Sequence, residues 1–279
     1  MRKLFQIVLA VVFAGLSASC ADNVEKLASE RFNSALKAFD EGQFVQARQE
    51  IDSIRILYPT ATDTRRKALG LMQRIEIIEQ TRTMAYEDSI IAVSSARLQE
   101  LLPSFTLEKD TLYQDLGNWV IPSLQPENNL TRSYLRAQVD ENGRLTLIST
   151  YRGAQYIHHN SFRVSVGESY FDTPAIDNAY EYKDLDLCYE KCNVQESREG
   201  GVAAFIAANR DSRNMVLTLN GQNRKVNVAM TAADVLAIAR LYDLSQLILF
   251  VNEHKAIRQE AERRINFVRS RIDAAADSI

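Results

Sequence analysis

The residues whose chemistry is easiest to name are two cysteines and two histidines: Cys188 and Cys192 in "CYEKC", and His158 and His159 in "IHHNSF". Two thiols four residues apart form a disulfide or stay free. In an extended strand their Cα atoms lie about 13 Å apart, beyond the roughly 7 Å that a disulfide tolerates. A bridge here therefore requires a turn or a helix. A metal site joining these thiols to His158 or His159 is a weaker reading, because no second closely spaced ligand pair follows. Adjacent residues of a strand point to opposite faces, so the two histidines do not readily share a metal. Ser161 is near them in sequence, but a hydrolase also needs an orienting acid and an oxyanion site, and the sequence identifies neither. A third group is aromatic. Tyr170, Phe171, Tyr180 and Tyr182 in "YFDTPAIDNAYEY" can line a carbohydrate or peptide surface, since a tyrosine ring contributes area and its hydroxyl a polar tip. The same residues also suit ordinary sheet packing.

No glycine-rich phosphate loop, paired metal motif or nucleophile elbow is present, and no cofactor is expected. The chain of 279 residues holds 33 basic and 36 acidic side chains, a net charge of −3. A mildly acidic chain without a concentrated basic run argues against nucleic acid as the main partner.

Three zones must position these groups. Residues 22 to about 102 are rich in Ala, Leu, Glu, Arg and Gln; residues from about 118 to 230 hold most of the Pro and Gly, with short alternating runs; helix-forming composition returns from about 231. In the first zone, "ALKAFDEGQFVQARQEIDSIRILYP" resembles a tetratricopeptide repeat, a pair of antiparallel helices. Ala35 and Ala38 take small packing positions of the first helix, Gly42 and Phe44 the turn, Ala47 and Ile51 the second helix, and Pro59 its end. Ile54 is larger than the residue such a repeat usually carries there. No second repeat follows.

A long helix is expected from about Asp63 to Leu101, with a seam of Ala68, Leu71, Ile75, Ile78, Arg82, Ala85, Ser89, Ala92 and Ala96. The last segment offers a partner seam: Leu244, Leu247, Val251, His254, Arg258, Ala261, Ile265, Val268, Ile272 and Ala275. Alternating three-four spacing is the signature of a helix packed along another helix. The two helices are expected to run antiparallel, with His254 and Arg258 setting register against an acidic neighbour or facing water.

Between them, "YLRAQVDENGRLTLISTY" reads as a hairpin around Asn142-Gly143, and "NMVLTLNGQNRKVNVAM" as another around Asn220-Gly221. "QYIHHNSFRVSV" gives a strand or pair, "GGVAAFIAAN" a strand, and Trp119 anchors the entry to the sheet. Thr231 and Asp234 form a helix cap. The predicted fold is α+β: a tetratricopeptide-like hairpin and long helix pairing with a C-terminal long helix, around an inserted, mostly antiparallel β domain. The segments are 1–19, 20–102, 103–230 and 231–279.

The start of the chain sets its destination. Arg2 and Lys3 precede an apolar run from Leu4 to Leu16, interrupted only by Gln6, and Ser17, Ala18 and Ser19 lead into Cys20. A run of about thirteen is too short for a membrane span, which needs roughly 20 residues, and fits a secretory leader. Small residues running into a Cys resemble the lipobox of bacterial lipoproteins, in its relaxed Bacteroidetes form. That resemblance implies cleavage of 1–19, lipid on Cys20 and export to the cell envelope, at the outer membrane, with either face open. With Cys20 so used, Cys188 and Cys192 remain as a pair in a compartment that permits disulfides.

The stretch from "LLPSF" through "NLTRSYLRAQVDENGRLTLIST" to "IHHNSFRVSVG" resembles uncharacterised exported proteins of Bacteroidales, which implies localisation and architecture but no activity. The leading expectation is a non-enzymatic envelope lipoprotein with a structural or protein-interaction role. A surface glycan-binding module is the alternative, and a hydrolase using His158 or His159 the second.

Overall fold

The computed structural model describes residues 23–177, 179–195, 198–222 and 224–276. Cys20 and the leader lie outside the described residues. The chain divides into two compact units, one of the described residues up to Asp88 together with those from Ile257 onward, the other Ser89–Ala256.

In the first unit, helix α1 (23–40) and helix α2 (Phe44–Leu57) form the expected hairpin. Gly42 takes φ +75° in the turn between them, a backbone region that costs glycine little. Ala28, Ala35, Ala38, Ala47, Ile51 and Ile54 bury against Ala68, Leu71 and Ile75 of helix α3 (Thr62–Leu101). The alanines let helix backbones approach closely, and the large Ile54 is fully buried in the space between. Arg48 ties α2 to α3 through Glu76 at 2.8 Å and through Glu79.

Helix α5 (Ala232–Ala276) packs antiparallel along α3. Its expected seam holds at Leu244, Val251, Ala261 and Ile265, which are buried, whereas Ile272 and Ala275 are exposed. Arg258 finds its acidic neighbour: its Nε donates to Asp88 Oδ1 at 2.8 Å. The ring of His254 packs against Phe250, 4.2 Å between centroids. The α3 seam needs correction beyond Ile78. Ala85, Ser89, Ala92 and Ala96 are exposed, and Glu87 and Ser94 are buried instead. From Leu71 to Glu87 the helix turns by about 160° beyond whole turns, so α3 presents different faces to the hairpin and to α5. A single heptad seam cannot describe both.

The second unit is built on two antiparallel sheets. Six strands lie in the order β1 (Thr106–Glu108), β2 (Asn118–Val120), β3 (Tyr134–Asp140), β4 (Leu145–Gly153), β8 (Leu187–Gln195), β7 (Tyr180–Asp184). Four lie in the order β10 (Lys225–Ala229), β9 (Met215–Asn220), β5 (Ser161–Val166), β6 (Ser169–Asp172). Alternate residues of β3, β4, β5, β8 and β9 enter one core with Val235, Ile238, Leu241, Leu244 and Ile248 of α5, and Trp119 packs at its margin as expected.

The β3–β4 turn docks onto α5. Gly143 takes φ +94°, Asp140 Oδ1 accepts the Asn142 and Arg144 N–H groups, and Ser245 Oγ donates to the Gly143 carbonyl at 2.6 Å. The α5 cap is reciprocal: Asp234 N–H donates to Thr231 Oγ1 and Thr231 N–H to Asp234 Oδ2. One expectation fails here. "GGVAAFIAAN" is not a strand but helix α4 (Val202–Ala208). Its alanines favour helix, Gly201 enters with φ +83°, and Glu199 Oε2 accepts the Ala203 N–H at 2.7 Å.

Candidate functional site

Strand β8 alternates sides, and that alternation sorts the chemistry. Cys188, Glu190, Cys192 and Val194 are buried, while Tyr189 and Lys191 lie on the other face, half-buried, and Asn193 is exposed there.

On the buried side, Glu190 holds the segment 157–159. Its Oε1 accepts the N–H of Ile157 at 2.6 Å and of His158 at 2.9 Å; its Oε2 accepts the N–H of His159 at 2.7 Å and approaches His159 Nδ1 at 2.8 Å. Three successive N–H groups converge because His158 adopts φ +55°, the kind of concave backbone that receives an anion. Burial alone would raise the Glu190 pKa, but the His159 ring and these backbone donors bring it down to about 2. An ionised Glu190 only accepts, so Nδ1 carries the proton. In the neutral ring Nε2 then accepts from Ser149 Oγ, 3.0 Å away, and Ser149 also hydrogen-bonds Cys192.

Ser149, His159 and Glu190 have the connectivity of a nucleophile, base and orienting acid. All three are 0% exposed. Ser149 lies mid-strand on the inward face of β4, opposite Leu135 on one side and Cys192 on the other. As it stands, the cluster is a buried polar network with every polar side-chain atom satisfied.

The two cysteines are free. The expected bridge is corrected: both lie within the extended strand β8, where a spacing of four residues separates Cα atoms by about 13 Å. Burial pushes the Cys192 thiol up to about 11, so it stays protonated at neutral pH. No group of three or more His, Cys, Asp or Glu among the described residues is placed to hold a metal. His158 is separate from His159: its ring is 41% exposed, pairs with Glu181 Oε1 at 2.8 Å and stacks on Tyr156.

The four aromatic candidates do not form one surface. Tyr170 and Phe171 lie on β6 in the four-stranded sheet, with Tyr170 under the Arg163 guanidinium at 3.6 Å and Phe171 packed on Phe205. Tyr180 and Tyr182 lie on β7 in the six-stranded sheet, and there the register assembles more than the sequence suggested. Tyr182 pairs with Tyr189, which pairs with Arg152; Tyr180 pairs with Lys191, then Thr150, then Tyr134; Asn193 pairs with Ile148, then Arg136. These three rows share the face of the sheet turned away from the core, open at β7 and β8 and buried at Tyr134, Ile148 and Thr150. Tyr182 and Tyr189 are stacked at 4.8 Å with 6° between their planes, and Tyr180 adjoins at 5.6 Å.

No protein-family model, curated protein or solved structure matches the chain. Its chemistry rests on these residues alone. A hollow of about 810 Å³ lies between residues 89–101 of α3 and 243–250 of α5, with apolar walls at Ile90, Val93, Leu247 and Phe250.

Proposed function

We propose that this chain is an exported, non-enzymatic lipoprotein of the cell envelope, held by lipid on Cys20, that engages a partner through the outer face of its six-stranded sheet. The leader and Cys20 support the tether. The observation that carries the recognition role is the sorting of chemistry across that sheet. The acid–base network Ser149–His159–Glu190 is sealed inside, where no substrate reaches it. The outer rows instead offer Tyr180, Tyr182 and Tyr189 beside Lys191, Arg152 and Arg136. Aromatic and cationic side chains together supply area, hydrogen-bond donors and charge without a reaction step.

A photoreactive residue placed at Tyr180 in the full chain, in intact cells, tests this role beside the same residue at Tyr170 on the other sheet. Adducts with envelope material at 180 in clear excess over 170 are expected. Equal or absent adducts at the two positions from folded protein would remove the assignment to this face.

A further inference from the structure

We infer that the outer face of the six-stranded sheet binds an acidic saccharide, with the sugar's carboxylate seated between Arg136 and Lys191. This rests on the recognition role proposed above and gives that face its ligand class.

The seat is a hollow of about 150 Å³, about five water volumes. Pro126 closes one side of it, and Tyr134, Arg136, Ile148, Thr150, Lys191 and Asn193 of the sheet line the rest. Arg136 is fixed by two neutral partners: its Nη1 donates to Gln125 Oε1 at 2.6 Å and its Nη2 to Gln138 Oε1 at 2.9 Å. Those amides hold the guanidinium in place and leave its charge unneutralised. Lys191 Nζ lies 6.0 Å from the centre of the Tyr182 ring. Among the described residues neither cation forms an ion pair with a carboxylate, in contrast to Arg48, Arg132, Arg163, Arg210 and Arg258. Arg152 adds a third such charge one row away, with Tyr189 and the Thr131 carbonyl as its partners. On a chain of net charge −3, three cations without ion pairs on one sheet face form a local positive field, with Asp184 beside Tyr182 and Glu127 near Tyr134 as acids close to it.

A carboxylate accepts charge-assisted hydrogen bonds from two such donors. The rest of the face suits the ring that would carry it. Asn193, exposed at the rim, offers a neutral donor and acceptor for sugar hydroxyls, while Tyr134 and Thr150, buried and hydrogen-bonded to each other, form the floor. Lys191 is paired in register with Tyr180, so the hollow continues into the tyrosine group, where ring faces and edges meet the apolar side of a sugar. Across the four strands from β3 to β7 the surface spans about 14 Å, room for a short oligosaccharide. Free phosphate satisfies the two cations but leaves the tyrosines unused.

Titration of the full chain in detergent, followed by calorimetry, decides the matter. The probes are tetragalacturonic acid, the neutral galactose tetrasaccharide and inorganic phosphate. The acidic tetrasaccharide should bind, with affinity falling as salt rises, and the neutral one should bind at least tenfold more weakly. Arg136→Gln with Lys191→Gln should cost about tenfold or more at an unchanged unfolding midpoint. Tyr180→Ala should weaken the tetrasaccharide while leaving phosphate titration unchanged. Three results would overturn the inference: equal binding of acidic and neutral sugars, phosphate binding without saccharide binding, or no binding by folded protein. If the crosslinks at position 180 persist while the titration is silent, only the ligand class falls; if both are silent, the recognition role falls with it.

Discussion

Glu190 accepts four hydrogen bonds from residues 157–159, and this sets how the molecule responds to acid. Its folded pKa of about 2 lies below the ordinary value of 4.5. A depressed carboxylate contributes stability that is present above its unfolded pKa and lost as pH falls toward its folded one. The contribution is about 3 kcal/mol, lost between about pH 5 and pH 2. Glu190→Gln should lower stability at pH 6 by about 3 kcal/mol or more, because buried donors lose their anion. Urea unfolding of the variant should also change less between pH 5 and pH 3 than that of the parent. A variant with the parent's acid dependence would show that the Glu190 charge is not what holds the loop.

Ser149 separates the structural and catalytic readings of the same network. Removing its hydroxyl leaves His159 Nε2 without a buried partner, at a cost of about 1–3 kcal/mol. Ser149→Ala should lower the unfolding midpoint, with p-nitrophenyl acetate hydrolysis at background in both proteins. Hydrolysis by the parent that vanishes in the variant at unchanged stability would make Ser149 a nucleophile and contradict the sealed-network account. Little of this cluster was legible in the sequence. The histidines were visible, but Ser161 stood out as the nearby hydroxyl. The partners Ser149 and Glu190 arrive only through the β4–β8 pairing and the φ +55° turn at His158.

At the scale of elements, two glycines with similar backbone demand should respond differently. Gly42 has φ +75° with nothing within 4 Å of an added Cβ, whereas at Gly143, with φ +94°, that Cβ would meet Ile248 at 3.0 Å and Leu249 at 3.1 Å. Gly42→Ala should cost about 1 kcal/mol from backbone strain alone. Gly143→Ala should cost about 2–3 kcal/mol, since the β3–β4 turn must also lift from α5. Equal losses in urea unfolding would mean that the turn is not seated on the helix.

Turn and cap chemistry was the most legible part of the fold. Asn142-Gly143 and the Thr231–Asp234 cap act locally, within a few residues of chain, whereas Asn220 is the last residue of β9 and Gly221 lies against Ile157. The α5 seam was legible through Val268 because that helix keeps one face inward. The second half of α3 was not, since its buried side shifts between two partners. Segment 202–208 misled because Val, Phe and Ile suit a strand, while the Glu199 contact that starts the helix lies outside the apolar run. Strand β8 itself was not legible, and its alternation, which puts Tyr189 and Lys191 on one face, comes from the structure. Only inter-strand register could add Arg136, Arg152 and Tyr180.

For the whole molecule, no helix among the described residues is long and apolar enough to cross a membrane. The proposed attachment rests on the leader and Cys20. Acyl chains contribute about 0.8 kcal/mol per buried CH₂, so several on one cysteine hold a protein at a membrane surface where a single chain would not. Such a tether keeps the sheet face at high local concentration near envelope ligands, which lets a modest site act. The measurement that tests the account most directly is intact mass with palmitate labelling of the expressed chain beside Cys20→Ala. A lipid tether at Cys20 predicts a labelled species whose mass begins at a lipidated Cys20 and is absent in the variant. A mature chain that carries no label and begins at Ala21, or one that retains Met1, would contradict it.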